Sequence, residues 1–130
     1  LVCVRHVLEL DELPFILNVT FRLAEMYVFS SDYEGISNSM LEAMALGMPV
    51  IATDCPIGGS RMYIKDGVNG LLVPVGDAQA LAAAMDRMAG DPAFGRKLGR
   101  EASKLREDLA VSKIAGRFIA LSGKGRDSHE

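Results

Sequence analysis

AEMYVFSSDYEGISNSMLEAMALG, residues 24–47, decides how this chain folds. Residues 24–29 are apolar, β-branched and aromatic, which predicts a short buried strand ending near Ser30. Met40, Leu41, Met44 and Ala45 recur at helical spacing up to Gly47, and Pro49 follows as a stop signal. Between strand and helix lies a polar turn that holds Glu34 and Gly35. A strand running through such a turn into a helix aims free backbone N–H groups, and the positive end of the helix dipole, at one point beyond the strand's carboxyl end. Anions bind at such points.

Glu34 in the turn and Glu42 about one helical turn inside the helix flank that point. Phosphates need N–H donors, whereas sugar hydroxyls suit carboxylate acceptors. Donors in the middle with carboxylates at both ends fit a sugar nucleotide better than a bare phosphate. Each residue also has a plainer account. Ser39-Met40-Leu41-Glu42 matches a capping box, in which Glu42 only reaches back to the Ser39 amide. Glu34 in a turn can be a solvated loop acid, and Gly35 can serve only the backbone of the turn.

Downstream, residues 49–53 (PVIAT) form a continuous apolar run of the kind found in parallel strands covered on both faces. Residues 55–60 (CPIGGS) are a Pro- and Gly-rich loop at that strand's carboxyl end, on the same edge as the glutamate-bearing turn. Gly58, Gly59 and Ser60 could hold a sugar or diphosphate oxygen through their N–H groups, or be a plain turn. Arg61 could offset phosphate charge or be a surface cation. A short helix is expected over residues 61–65, a turn at Asp66-Gly67 and a strand over residues 70–73, so that three strand ends face one crevice. Upstream, residues 1–7 (LVCVRHV) read as a strand, and Pro14 interrupts a helix-like stretch over residues 11–23.

The remainder reads as scaffold. Asp77 is a good N-cap for an Ala-rich helix over residues 78–89, with Leu81, Met85 and Met88 on a core face and Gly90 as its end. Asp91-Pro92 opens a charged helix over residues 93–109, read as a solvated face. Ser112 caps an amphipathic helix over residues 113–121 carrying Ile114, Phe118 and Ile119, and residues 123–130 form a polar, disordered tail after a domain spanning residues 1–122.

The 130 residues suffice for one domain or part of one. A net charge of −3 and a pI near 5.4 give no sign of a nucleic-acid partner. Apolar runs such as residues 70–75 are far too short to span a bilayer, and the chain starts at Leu1 without a leader, as a segment would. Cys3 and Cys55 have no metal or redox spacing, so buried thiols in a reducing compartment are expected. His6 and His129 stand at opposite ends and build no triad or metal cluster.

Glu34 and Glu42 stand as E-x7-E, followed by GMPVIATD at residues 47–54 and DGVNGLLV at residues 66–73. In this combination the chain closely resembles the carboxyl-terminal domain of GT4-type retaining glycosyltransferases of the GT-B fold, continuously over residues 24–77 and more loosely to residue 118. The resemblance implies an α/β fold: a Rossmann-like parallel open sheet flanked by helices, the later part of the domain that binds a nucleotide-sugar donor. It implies that Glu42 binds the ribose hydroxyls and that Glu34, the catalytic residue of the set, contacts a hydroxyl of the donor sugar; no role as a covalent nucleophile is assigned to it. Gly35, Ile36 and Ser37 would offer amides to the sugar or phosphate, with Asn38 and Ser39 near the diphosphate. It further implies a UDP-sugar as donor substrate, no metal or other cofactor, and a glycan or lipid-linked acceptor held by a missing amino-terminal domain.

The location implied is cytoplasmic, with any contact to the inner face of the membrane coming from that domain. The segment alone should not turn over. One departure stands out: Met62 replaces a Glu common in the family before the apolar pair ahead of the D-G turn. The alternatives are a GT-B nucleotide-sugar epimerase and a non-catalytic sugar-nucleotide-binding module. A flavodoxin-like regulatory module would need an acidic pocket on its first strand, which LVCVRHV lacks.

Overall fold

Val50–Thr53 forms the central strand, β2, of the computed structural model, which describes residues 24–110, 112–114 and 116. All four of its residues are buried, as the continuous apolar run requires of a strand covered on both faces. β1 (Tyr27–Phe29) and β3 (Leu71–Val73) pair with it in parallel on either side, in the order β1-β2-β3. Val28 faces Ile51 across one ladder and Ile51 faces Leu71 across the other. Parallel neighbours need crossovers, and helices supply them. α1 (Asn38–Ala45) joins β1 to β2, α2 (Gly59–Tyr63) lies between β2 and β3, and α3 (Ala78–Gly90), α4 (Pro92–Ser103) and α5 (Leu105–Asp108) follow. The expected parallel α/β sheet flanked by helices is the architecture found.

Alternation along β2 divides the core. Val50 and Ala52 pack with Met40, Ala43 and Met44 of α1 and with Met48, Ile64 and Ala102. Ile51 points the other way, to Leu71, Val73, Met88 and Leu98. Leu81 and Met85 of α3 pack against that second cluster, so the face read from the Leu and Met spacing is a core face. The Asp77 carboxylate accepts from the Ala80 amide at 2.8 Å, as an N-cap should.

Several boundaries differ from the sequence reading. β1 starts at Tyr27 rather than Ala24, and its residues are only half-buried because β1 has one described neighbour. α2 covers residues 59–63 instead of 61–65: Gly58, at φ 79, turns the chain directly into the helix, and Ile64 returns to extended backbone to reach the core. Gly90 belongs to α3, and Asp91 makes the break, accepting from the Phe94 amide at 3.0 Å as the cap of α4. The charged helix expected over residues 93–109 is interrupted at Lys104, whose amide bonds to Glu101 and Ala102 carbonyls in a tightened last turn.

Nor is that helix simply solvated. Gly95, Leu98, Gly99 and Ala102 form a buried face at i, i+3, i+4 and i+7, hard to see because two of its members are glycines. Ser112 is already helical, with Ala110 accepting from the Lys113 amide at 2.9 Å. The expected strand over residues 1–7, the stretch over 11–23, Phe118, Ile119 and the tail lie outside the described residues.

Gly99 is where α4 meets the turn after α1. A Cβ there would stand 2.0 Å from the Gly47 carbonyl oxygen, whereas a Cβ on Gly95 would meet Met88 and Pro49 side chains at 3.4 Å. Backbone cannot yield as a side chain can, so Gly99→Ala should lower unfolding free energy by about 2–3 kcal/mol and Gly95→Ala by under ~1 kcal/mol. Urea denaturation of both variants checks this ordering, and equal effects would contradict it.

Candidate functional site

The carboxyl ends of the three parallel strands lie on one edge of the sheet, and the E-x7-E turn leaves β1 there. The residues between Phe29 and Asn38 form no regular structure, so their shape comes from what the neighbouring loop holds. The Ser31 carbonyl accepts from the Thr53 hydroxyl and from the Cys55 thiol, the latter at 2.9 Å. Cys55 is buried, as expected of a structural thiol. Four residues further on, the backbone of Gly35 lies against Gly59: a Cβ built on Gly59 would stand 1.6 Å from the Gly35 carbonyl oxygen. Only a glycine at position 59 permits that approach. The two loops that the sequence placed on one edge are therefore in backbone contact.

The turn's far end is fixed by a hydroxyl chain. Tyr27 Oη and Ser39 Oγ are 2.7 Å apart, Ser39 Oγ and Ser37 Oγ 3.0 Å, and Ser37 Oγ accepts from the Met40 amide at 3.3 Å. Ser37, not Ser39, is thus the N-cap of α1, which corrects the capping-box reading by two positions. The third helical position is then Met40, so no glutamate stands where a capping box needs one. Asn38 and Ser39 open the helix, and their amides find no acceptor among the described residues.

Glu42 is exposed, on the side of α1 away from buried Met40, Ala43 and Met44, and its carboxylate has no hydrogen-bond or ion-pair partner among the described residues. It follows Asn38 by four residues, which puts both on one face, and helical side chains lean toward the amino terminus. Glu42 therefore leans toward the open amides and the turn. Glu34 is exposed within the turn and equally unpartnered among the described residues, Gly35 and Ile36 are exposed, and Ser37 is buried. Carboxylates at both ends and amide donors between them can receive a ligand that carries both hydroxyls and anionic oxygens.

The Gly58 to Arg61 stretch is more engaged than a free loop. The Gly58 amide donates to the Cys55 carbonyl at 2.8 Å, Gly59 backs Gly35, and Ser60 is buried. Arg61 is a surface cation, its side chain largely exposed, and it has a partner. Its Nε and Nη2 donate to the two carboxylate oxygens of Asp54 at 2.7 and 2.5 Å. Those hydrogen bonds hold the Asp54 carboxyl below the usual carboxylate range. Sequence reading missed Tyr27, Thr53 and Asp54, although Thr53 and Asp54 stand at the end of the apolar run, where strand-end polar residues in parallel sheets meet the ligand edge.

A cavity of about 720 Å³ lies at the other edge, by the amino ends of β1 and β2, lined by Met26, Pro49, Met88, Arg96, Arg100 and Arg106 among others. It includes no residue of the E-x7-E turn. Open strand-end crevices enclose little volume, so cavity size does not rank these places. Among the described residues no cluster of His, Cys, Asp and Glu is placed to hold a metal ion, and no helix is long and apolar enough to cross a membrane.

Similarity to known proteins bears on the family and the fold. The family "Glycosyl transferases group 1" matches residues 9–91, more than half of the chain. A putative glycosyltransferase, EpsD of Bacillus subtilis, is 42% identical over 83 residues, which are 64% of this chain and 21% of EpsD. The lipopolysaccharide core biosynthesis glycosyltransferase LpsE of Rhizobium meliloti is 34% identical over 88 residues, 68% of this chain and 24% of LpsE. The chain thus spans about a fifth to a quarter of these relatives. Anabaena HepE, solved with UDP, superposes with a TM-score of 0.74 at 22% identity, over 81% of this chain and 29% of HepE. That likeness is one of fold.

The capping geometry separates two roles that the sequence left joined. Ser37→Ala should cost about 1 kcal/mol of stability by removing the cap, while Glu42→Gln should stay within ~0.5 kcal/mol of the parent. Thermal denaturation of the two variants tests this; a destabilised Glu42→Gln would mean that Glu42 serves the fold.

Proposed function

We propose a function from the premise that the family match establishes: this chain belongs to the glycosyl transferases group 1 family. In our reading it is the later part of the carboxyl-terminal, donor-binding domain of a retaining enzyme, and it binds a UDP-sugar at the E-x7-E edge. Glu42 accepts from the ribose hydroxyls and Glu34 from a hydroxyl of the donor sugar. The amides of Gly35, Ile36 and Ser37 face the sugar or phosphate, and those of Asn38 and Ser39 the diphosphate. The observation that carries this is the exposed Glu42, unpartnered among the described residues, beside the open amino terminus of α1, with the capping role removed from it.

The chemistry follows from that arrangement. Breaking the bond between the anomeric carbon and the diphosphate leaves negative charge on the leaving group. Fixed amides and the positive end of α1 stabilise that charge without reorganising, which is where such sites gain most of their rate. Glu34 orients the sugar through a hydroxyl. The acceptor, a glycan or lipid-linked glycan, enters from a domain outside this chain, and the chain alone binds donor without turnover. HepE's complex with UDP and LpsE's part in lipopolysaccharide core biosynthesis support these choices of donor and acceptor class.

Calorimetric titration of the chain with UDP, GDP and ADP tests the reading. Saturable UDP binding is expected, weakened about tenfold by Glu42→Gln, since hydrogen bonds to a charged carboxylate contribute about 1.5–3 kcal/mol. Glu34→Gln should leave UDP affinity within about twofold and reduce discrimination among UDP-sugars. Nucleotide and nucleotide-sugar affinities that neither substitution alters would sink the assignment.

A further inference from the structure

We propose that the Asp54–Arg61 pair is a positioning latch for the E-x7-E turn, holding its Glu34 half in the shape that receives the donor sugar. This rests on the donor-site reading above. The connection can be followed atom by atom. Asp54 is anchored to the sheet, its amide donating to the Val73 carbonyl at 2.8 Å. Its carboxylate takes both arms of the Arg61 guanidinium, at 2.7 and 2.5 Å. Arg61 belongs to α2, and two residues before it Gly59 lies against the Gly35 carbonyl. So the sheet holds Asp54, Asp54 holds α2, and the first residue of α2 backs the turn.

α2 is also held by the Gly58 amide on the Cys55 carbonyl, by Asn69 Nδ2 donating to the Tyr63 carbonyl at 2.9 Å and by buried Ile64 after it, so what the Arg61 fork adds is orientation. The hydrogen bonds of the turn itself act at its two ends. Thr53 and Cys55 hold Ser31 at the start of the turn, and the Tyr27–Ser39–Ser37 hydroxyl chain holds its end. Between them Gly35 has Gly59 as its backing, and α2, only five residues long, has no cap side chain of its own. An isolated exposed ion pair contributes little to stability. A two-armed fork that fixes a five-residue helix by its middle does something different: it sets an orientation. α1, by contrast, is seated by Met40, Ala43 and Met44 in the core, so Glu42 does not depend on the latch.

That division gives a test with two arms in the full-length protein. Limited proteolysis with chymotrypsin, which cuts after the exposed Tyr33, should nick the turn at least about threefold faster in Arg61→Ala and Asp54→Asn, with the melting temperature little changed and resistance restored in the Asp54→Arg/Arg61→Asp exchange of charges. Arg61→Lys, which keeps the charge and loses the fork, should resemble Arg61→Ala. In the second arm Arg61→Ala should weaken UDP-glucose about fivefold and UDP less than twofold. Unchanged cleavage after Tyr33 would overturn the latch. So would equal weakening of UDP and UDP-glucose, since Arg61 would then be a phosphate ligand. A parent protein that binds neither compound would refute the donor-site reading, and the cleavage arm would still decide the latch.

Discussion

The contact between the Gly35 carbonyl and the backbone of Gly59 is the constraint on which the site depends. A segment without regular structure cannot hold a carboxylate in place by itself, because each residue left free keeps its conformational entropy. Here the segment after β1 borrows rigidity from the segment after β2. Those two strands are parallel neighbours, so the segments leave the sheet side by side at one edge. A glycine at each point of contact lets main chain meet main chain with no side chain between them. The same device recurs at Gly47 and Gly99, where α4 closes on the turn after α1. One contact shapes the candidate site; the other fixes the helix beneath it.

Charge is arranged with similar economy. Asp54 and Arg61 satisfy each other, and the hydrogen bonds from Arg61 lower the pKa of the Asp54 carboxyl. Glu34 and Glu42, a short distance along the sequence, have no such partner among the described residues. A carboxylate left exposed and unpaired costs the fold nothing and stays available to an incoming donor hydrogen. The coincidence of carboxylates, open amides and strand ends distinguishes this edge from the arginine-lined cavity opposite.

Much of the fold was legible because its signals were periodic. The run PVIAT could hardly be other than a covered strand, and the Leu81, Met85 and Met88 spacing carried α3. The E-x7-E edge was legible in outline too: turn, helix start and neighbouring loop are where the pattern put them. What escaped was set by single atoms. Ser37 and Ser39 are both acceptable caps in sequence, and only the backbone path into α1 decides for Ser37. Gly58 and Gly59 read as parts of one Pro- and Gly-rich loop, yet one has a left-handed φ and the other is a helical residue at a close approach. Arg61 lies seven residues from Asp54 across an irregular loop between β2 and α2, so no single helix or strand period links them.

This last failure bears on how the site works. Residues that contact a ligand tend to sit in recognisable local patterns, because the pattern creates the contact geometry. Residues that support them are joined through the fold and leave no local trace. Thr53, Cys55, Gly59 and the Asp54–Arg61 pair all act from the β2 side on a turn that belongs to β1. The Met62 departure from the expected glutamate falls within this supporting set: Met62 is exposed on α2, next to the arginine that ties α2 to the sheet. A change in this segment therefore alters the support of the E-x7-E turn without touching either glutamate, while the helix that carries Glu42 stays seated in the core through Met40, Ala43 and Met44.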